Sequence, residues 1–266
     1  MTYPDGIAEA SGVHESVSEL FHENSKQFRS DDRVADRIIA MTASPALQRL
    51  AAARKRYPSA RRIALPTEMP PVTRRFDEVV LLRRSVRAFA SEPLHLGHLA
   101  KLLAFGNGVT GEVAMPDGPR QHFRAAPSGG ALYPVELYVA SIAADGLEPG
   151  VYHYDAVAHA LELVRPGRFA DALASMTYTP ELASSAAAVV LSGVTVKSRI
   201  KYGERAYRFL LMEAGHIAQN VLLTATALDL AACPIGGFVD DELDNLLGLD
   251  GLDEVSLYLI AVGQRR

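Results

Sequence analysis

Apolar residues recur along this chain with the period of a helix in some segments and with the period of a strand in others. The predicted helices and strands follow one another in no regular order. Helical spacing predicts one helix over 73–82, with Thr73 as its N-cap, and another over 94–105, which Gly106 closes. The longest helical pattern, at 208–229, is apolar on nearly every side. We therefore expect this helix at the centre of the fold.

Shorter apolar runs predict strands between these helices. Residues 134–143 alternate between apolar and polar positions, and 186–191 form a short, wholly apolar run. Two runs at 151–154 and 161–164 flank a turn-like sequence and predict a hairpin, and 254–262 predicts a closing strand. Because strands and helices interleave without regular βαβ units, the pattern favours an α+β fold over a doubly wound sheet.

The first part of the chain differs from the rest in composition. Residues 1–75 are polar and rich in Ala and Arg, and apolar residues at helical spacing between 34 and 50 predict short amphipathic helices. The proline-rich sequence at 65–72 predicts an extended linker, because each proline disfavours helix at the residue before it. We therefore divide the chain into an N-terminal helical extension with its linker, 1–75, and one main domain, 76–266.

Composition and charge exclude several classes of protein. The chain has 266 residues, of which 48% are hydrophobic and 22% charged, unlike disordered, collagen-like or coiled-coil sequences. Its formal net charge of −4 argues against a nucleic-acid-binding protein. No segment approaches the roughly 18 apolar residues of a membrane span, and the N-terminal sequence lacks a secretory signal pattern. We therefore expect a cytoplasmic protein with no membrane contact.

Four local patterns suggest chemistry that their context does not support. The sequence at 106–111 matches a glycine motif for dinucleotides, but it follows a predicted helix instead of a strand and leads into a Pro/Gly-rich sequence, so we interpret it as a helix end and a loop that continues to residue 120. His95 and His98 lack a third metal ligand at suitable spacing, so we interpret them as capping or solvent-facing residues. Cys233 lies among small apolar residues and is expected to be buried and unreactive. His216 is expected inside the apolar helix as a hydrogen-bonded core residue.

Three guanidinium groups and one hydroxyl fall within the five residues 83–87. On an extended segment Arg83, Ser85 and Arg87 point to the same side, because side chains alternate along it. Arginine binds phosphate oxygens through two parallel hydrogen bonds. The segment, called the arginine segment below, is therefore a candidate phosphate site, with a solvated basic patch as the alternative.

Two glycine-containing segments are candidates for contact with a flat ligand. The first, at 126–131, comes just before the first predicted strand of the main domain, and the second, at 234–237, follows the long helix. Paired glycines let the backbone approach a ring closely and leave amide groups free to donate. Ordinary loops are the alternative interpretation for both.

Lys201 and Tyr202 precede the long helical pattern, which the sequence predicts to begin near Gly203. The positive end of that helix and several neighbouring cations disfavour the charged form of Lys201, so its amine is a candidate base. The phenol of Tyr202 is a candidate proton donor or relay. An exposed pair of side chains in a linker is the alternative.

Taken in order, these segments resemble the nitroreductase superfamily, and within it the SagB-type thiazole/oxazole dehydrogenases. The sequences that carry the resemblance are RRSVRAF at 83–89, RAAPSGGALYPVELYV at 124–139, KYGERAYRFLLMEAGHIAQNVLLTATAL at 201–228 and PIGGFVD at 234–240. Similarity to the N-terminal segments of that group begins at FHENSK, near residue 20, so the resemblance extends from there to the end of the chain.

The resemblance implies a homodimer with an FMN-binding α+β fold, in which a central mixed or antiparallel sheet is flanked by helices and flavin lies at the subunit interface. Carried over by position, the FMN phosphate would be held by Arg83, Ser85 and Arg87, with Arg84 contributing through its backbone and Arg265 adding a contact. The residues that would line the flavin from the other subunit are Pro127, Ser128, Gly129 and Gly130. Those that would approach its ring are Pro234, Ile235, Gly236 and Gly237. Lys201 and Tyr202 match a Lys–Tyr pair that this group uses in azoline oxidation.

These expectations combine into an FMN-dependent dehydrogenase that oxidises thiazoline or oxazoline rings of a peptide to thiazole or oxazole in natural-product biosynthesis. Lys201, helped by Tyr202, would remove a ring proton while hydride passes to the flavin, without a metal. Residues 1–75 are too few for a peptide-recognition domain, so recognition of a leader peptide would need a partner such as a cyclodehydratase. Two alternatives stay open: an NAD(P)H-dependent nitro or quinone reductase, and a flavin-binding scaffold subunit of a cyclodehydratase complex.

Overall fold

The computed structural model describes residues 16–29, 33–114 and 120–266. Its helices are α1 (Val17–Asn24), α2 (Arg33–Ala43), α3 (Pro45–Ala52), α4 (Phe76–Leu82), α5 (Leu96–Asn107), α6 (Ala170–Met176), α7 (Thr195–Tyr202), α8 (Ala206–Ala227) and α9 (Asp240–Leu247). Its strands are β1 (Arg62–Ala64), β2 (Val109–Val113), β3 (Gln121–Arg124), β4 (Val135–Ser141), β5 (Gly150–Asp155), β6 (Ala160–Pro166), β7 (Ala187–Val194), β8 (Leu230–Ile235) and β9 (Glu254–Gln264).

Seven of these strands form one sheet in the order β1-β6-β5-β4-β7-β9-β8, and each neighbouring pair is antiparallel. The strands β2 and β3 form a separate hairpin. Helices flank the sheet, so the predicted α+β class is confirmed, with an antiparallel sheet. Within the described ranges, no helix has both the length and the apolar character that crossing a membrane requires.

Helices cover the sheet on both faces, which explains why its central strands are apolar on both sides. In β4, Leu137 and Val139 belong to one apolar cluster, whereas Tyr138 and Ala140 belong to the other. The first cluster also contains buried residues of α5 and α8, and the second contains residues of α6 and α9. Every residue of β4 is buried as a result.

The predicted strands are confirmed with shifts of a few residues at their ends. The runs at 134–143, 186–191 and 254–262 form β4, β7 and β9. The predicted hairpin consists of β5 and β6, and Oδ1 of Asp155 closes its turn by accepting hydrogen bonds from the backbone N–H of Val157 and Ala158, both 3.1 Å long.

The start of α4 differs from the sequence prediction. The helix begins at Phe76, and Arg75 takes the N-cap position that the sequence assigned to Thr73. The side chain of Glu78 replaces the missing cap, since its Oε2 accepts a hydrogen bond of 3.3 Å from the Arg75 N–H.

The helix α5 lies two residues further along the chain than predicted. Nδ1 of His95 accepts a hydrogen bond of 3.1 Å from the N–H of Gly97 at its start, which confirms His95 as a capping residue. The glycine motif at 106–111 contains the end of α5 and the start of β2, where the sequence predicted a loop. The remainder of that predicted loop, at 115–119, lies outside the described residues. No group of three or more potential metal ligands occurs in the described ranges.

The long helix α8 covers Ala206–Ala227, but it is not enclosed by the chain as its apolar pattern suggested. Ile217 and Val221 are fully buried against the sheet, whereas Leu211 and Met212 are 45% and 49% exposed. His216 is exposed as well, so the expectation of a core histidine is wrong. Among the described residues, the apolar side chains on the second side of α8 are covered only in part, so a helix that is apolar on nearly every side still lies at the surface.

Part of the N-terminal region joins the sheet. The strand β1 pairs with β6 at one edge, and the N–H of Tyr57 donates a hydrogen bond of 3.1 Å to Oε2 of Glu162. Lys55 forms an ion pair with Glu254 on β9. The segment 65–75 contains no helix or strand, as expected for a linker. The domain boundary at residue 75 stays a prediction, and the start of the chain, 1–15, lies outside the described residues.

Candidate functional site

A strained turn before β4 holds the first glycine-containing segment. The backbone angle φ is positive at Gly130 (66°), Ala131 (53°) and Tyr133 (49°), a conformation that residues other than glycine rarely adopt. Hydrogen bonds fix the turn: the N–H of Tyr133 donates to Oγ of Ser128 over 2.9 Å, and Nε2 of Gln121 donates to the carbonyl of Ala131 over 3.0 Å.

The candidate base and phenol lie directly against this turn. A Cβ atom added to Gly130 would lie 2.5 Å from Oη of Tyr202 and 2.6 Å from Nζ of Lys201. The Tyr202 ring meets Phe209 of α8 edge-on with 4.7 Å between ring centroids, and Phe209 in turn packs against Gly129. The structure thus brings together two predicted groups that lie seventy residues apart in the sequence.

The surroundings of Lys201 differ from the sequence-based argument in one respect. Lys201 lies in the last turn of α7, a helix that the sequence analysis did not predict, and α8 begins only at Ala206. The carboxyl end of a helix carries a partial negative charge, which favours a cation. The helix-end argument for a neutral amine therefore does not apply, and the proposed role of Lys201 depends on its contact with Gly130 and Tyr202.

Two buried charged residues behind the turn were not selected as site residues from the sequence. Glu213 of α8 is 2% exposed, and its Oε1 accepts a hydrogen bond of 3.4 Å from the N–H of Val135. Burial raises the pKa of Glu213 to about 7, although a hydrogen bond from Ser128 acts in the opposite direction. Lys197 of α7 is also buried and donates to the carbonyl of Tyr133 over 3.3 Å. Burial lowers the pKa of Lys197.

A sequence signal for Glu213 exists. Its position within the long apolar helix is an exception to the pattern, and a charged residue on a buried helix face requires a specific partner. The partner, Ser128, lies 85 residues away and could not be identified from spacing.

The arginine segment lies along the outer edge of β8. The N–H of Val86 donates to the carbonyl of Ala232 over 2.9 Å. The guanidinium of Arg84 donates to the carbonyls of Leu81 and Arg83, over 2.9 and 2.8 Å, and is therefore occupied at the end of α4. Among the described residues, the guanidinium groups of Arg83 and Arg87 form no ion pair with a carboxylate. Both cations are therefore available for an anionic ligand.

The remaining predicted flavin contacts lie at the same edge of the sheet. Arg265 pairs with Phe89 through the backbone, and its Nη1 lies 3.5 Å from Oδ1 of Asp229. Pro234 and Ile235 end β8, and the glycines 236 and 237 that follow are exposed. A Cβ on Gly237 would have no atom within 4 Å. Available cations beside open glycine backbone fit the phosphate and the flat ring of FMN.

The arginine segment and the Lys201–Tyr202 pair lie at opposite ends of α8. Phe209, in its first turn, touches the strained turn, whereas Asp229, just beyond its end, contacts Arg265. A helix of 22 residues is about 33 Å long. A single chain therefore does not bring the arginine segment and the Lys201–Tyr202 pair together.

The antiparallel sheet with its flanking helices is the fold of a nitroreductase-type protein. The sequence profile of the Nitroreductase family matches residues 80–264, so the chain belongs to this family. Members of the family are generally oxidoreductases and typically bind flavin.

Comparison with individual proteins gives two kinds of relative. The chain is 33% identical to MJ1384 of Methanocaldococcus jannaschii, a protein whose name places it among the nitroreductases, over 72% of this chain and 91% of that one. It is 32% identical to the microcin B17-processing protein McbC of Escherichia coli, over 48% of this chain and 49% of McbC. The chain thus spans about half the length of this microcin B17-processing relative.

A solved structure shows the same fold. A chain in the E. coli microcin synthetase McbBCD complex, bound to truncated pro-MccB17, superimposes with a TM-score of 0.60 at 22% identity. The superposition covers 95% of this chain and 99% of that one. At this identity the likeness concerns the fold alone.

Proposed function

We propose that this protein is an FMN-dependent dehydrogenase that oxidises thiazoline or oxazoline rings in a peptide to thiazole or oxazole. The observation that carries the proposal is the contact of the Lys201–Tyr202 pair with Gly130, which creates a basic and a phenolic group on one glycine surface. The relationship to McbC, whose name states that it processes microcin B17, supports a peptide natural product as substrate.

FMN would be held through its phosphate by Arg83, Ser85 and Arg87, and its ring would lie against the exposed backbone of 234–237. When bound, FMN supplies the acceptor for the hydride that leaves the azoline ring. Arg265 is tied to Asp229 in this structure, and Arg74 binds the same carboxylate oxygen at 3.0 Å. To contact the phosphate, Arg265 would have to leave Asp229. The ion pair between Arg74 and Asp229 would then still neutralise this carboxylate.

The complete site would require two copies of the chain. The arginine segment and the Lys201–Tyr202 pair lie at opposite ends of α8, so the pair of one copy would face the flavin held by the other. In a two-fold symmetric dimer this exchange creates two equal sites. The exposed apolar side chains of α8, Tyr207, Leu211 and Met212, offer the surface for such a dimer.

The chain's own residues would perform the proton transfer. In its uncharged form, Nζ of Lys201 would accept the proton from the ring carbon, and Oη of Tyr202, beside the same glycine, would relay a proton from the resulting ammonium group to solvent. The absence of a side chain at Gly130 leaves both groups accessible at the turn. Glu213 and Ser128 would hold this turn in place from behind.

The test is oxidation of a synthetic azoline-containing peptide by the FMN-loaded protein, followed by mass spectrometry. The expected product has lost two hydrogen atoms per ring. Lys201→Ala should abolish this loss, whereas Arg56→Ala, a change at an exposed cation outside the site, should not. Retention of full activity by Lys201→Ala would overturn the assigned role.

The likeness to MJ1384 over 91% of that protein keeps a nitro or quinone reductase as the second candidate. Rapid anaerobic reduction of the bound flavin by NADPH, without any oxidation of azoline peptides, would favour this second function. A scaffold subunit would show neither activity and would still support ring formation by a partner cyclodehydratase when Lys201 is replaced.

A further inference from the structure

A cavity of about 190 Å³ lies beside the strained turn, and neither Lys201 nor Tyr202 lines it. Its wall includes Ala131 and Tyr133 of the turn itself. The basic side chains that line it are Arg54, Arg120, His122, Arg124 and Lys197, and no carboxylate of the described residues lines it. We call this cavity the cationic pocket.

Three separate parts of the chain contribute these cations. Arg54 follows α3 in the N-terminal region, His122 and Arg124 lie on β3, and Lys197 lies on α7. Lys197 is 7% exposed and is held by the carbonyl of Tyr133. The convergence of three elements on one cavity distinguishes this arrangement from a solvated basic surface.

The positive charges in the pocket are incompletely neutralised. Arg120 and His122 share Glu112, just outside the cavity, and Arg124 stacks on the Tyr133 ring with 5.6 Å between the guanidinium carbon and the ring centroid. Neither Arg54 nor Arg124 pairs with a carboxylate of the described residues. The pocket therefore has unused capacity for an anion.

Electrostatic effects within the pocket agree with this excess of positive charge. Burial lowers the pKa of His122, and Arg54, Arg124 and Arg120 lower it further. Burial likewise lowers the pKa of Lys197; Arg124 and Arg54 act in the same direction, and the carboxylates of Glu136 and Glu213 in the opposite one. A bound anion would relieve the repulsion that these cations exert on one another.

We propose that the cationic pocket is a binding site for an oxyanion, a carboxylate or phosphate group, distinct from the arginine segment. The group would lie between Arg54, Arg124 and Lys197. Since Ala131 and Tyr133 line the pocket while Gly130 contacts the Lys201–Tyr202 pair, a ligand anchored there would be one turn from the candidate catalytic residues. The inference stands on the pocket geometry and does not require azoline oxidation.

Inorganic phosphate is the first probe, titrated calorimetrically into the FMN-loaded protein at low chloride. We expect saturable binding that weakens at least ten-fold in Arg54→Gln and in Arg124→Gln. Arg56→Gln is the matched control, since Arg56 is exposed, lies two residues from Arg54 and does not line the pocket. Equal phosphate affinity in all of these proteins would overturn the proposal.

The arginine segment is a second phosphate site in principle, and its double variant Arg83→Ala/Arg87→Ala separates the two. Since this variant is expected to lose FMN, it is compared with the FMN-free wild type; phosphate binding to the pocket should persist in it, and its disappearance would overturn the proposal. Titration of His122 by NMR provides an independent measurement, because phosphate should shift its protonation to higher pH in the wild type and not in Arg124→Gln. Thermal unfolding of each variant confirms that the fold is retained.

Two further probes identify the source of the oxyanion. If it is a substrate carboxylate, a peptide with a free C-terminus should bind more tightly than its amide, and Arg124→Gln should remove the difference. If it is a phosphate of a dinucleotide, NADPH should bind more tightly than NADH with the same sensitivity. Phosphate binding with no preference in either comparison would limit the site to inorganic anions.

Discussion

Gly130 is the residue at which the backbone constrains the candidate site most closely, because it combines a positive φ with contact to both Lys201 and Tyr202. We expect Gly130→Ala to reduce azoline oxidation roughly ten-fold or more, since a methyl group there displaces both side chains. Gly146→Ala is the control: its φ is also positive, but only Leu96 lies near, at 3.9 Å. Both variants should lose stability because both positions have a positive φ, and only the first should lose activity. Equal activities of the two variants would contradict a role of this turn in catalysis.

Glu213 provides a second test at the residue scale, through its pKa of about 7 in the folded protein. A carboxyl group whose pKa is raised on folding binds more protons in the folded state, so stability decreases as pH rises from about 4.5 to about 7. This cost amounts to about 3 kcal/mol at pH 8. Urea unfolding should therefore show Glu213→Gln gaining stability relative to wild type over this pH range. A constant difference, like that expected for the exposed Glu242→Gln, would contradict the shift.

A site residue could be predicted from the sequence where few other residue types can do the same chemistry. The paired glycines and the cluster of arginines are examples, since few residues bind phosphate with two parallel bonds or allow a ring to approach the backbone. Glu213 and Lys197 were not predictable in this way. Their environment depends on burial, and burial depends on how α7 and α8 pack against β4.

At the scale of elements, a buried histidine joins three neighbouring strands of the sheet. His153 on β5 is 1% exposed and lies 3.0 Å from Glu162 on β6 and 3.2 Å from Glu136 on β4. Burial by itself lowers the pKa of His153, but the two carboxylates outweigh it and raise the pKa. Burial by itself raises the pKa of Glu136, but the hydrogen bond from His153 outweighs it, and the pKa is lowered overall.

These directions define the pH range in which the bridge stabilises the sheet. The contribution of His153 is complete below about pH 6.5 and is lost as pH rises through its raised pKa, whereas that of Glu136 is lost on acidification below about pH 4.5. We expect His153→Gln to destabilise the protein by about 3 kcal/mol at pH 6 and by less at pH 9. Thermal unfolding at both values tests this, with the exposed His216→Gln as control. A loss that grows with pH would contradict the assignment.

The elements that the sequence predicted are those with a strong, regular pattern. The strands β4 and β7 are wholly or almost wholly buried, and α8 has a long helical period, so each was identified to within a few residues. In contrast, α7 is mostly polar, and β8 contains Pro234, which only an edge strand tolerates. The exposure of α8 could not be inferred, because an apolar helix face has the same pattern whether its own chain or a second copy covers it.

For the whole molecule, the length of α8 separates the arginine segment from the Lys201–Tyr202 pair. Mixing two inactive variants therefore tests whether the site is shared between two copies of the chain. One variant carries Arg83→Ala and Arg87→Ala, and the other carries Lys201→Ala and Tyr202→Phe. Each variant alone should be inactive, the first through loss of FMN and the second through loss of proton transfer. In a mixed dimer with shared sites, one site collects all four substitutions and the other contains none.

After subunit exchange in an equal mixture, half of the dimers are mixed and each has one intact site, so activity should return to roughly a quarter of the wild-type level. If each chain formed its site alone, every site would keep one defect and the mixture would stay inactive. Leu211→Glu, placed in the exposed apolar strip of α8, should prevent the recovery when added to both variants, because it disrupts the proposed interface. Recovery of activity in the presence of Leu211→Glu would show that the copies contact each other elsewhere. No recovery of activity in either mixture would contradict a site shared between two chains.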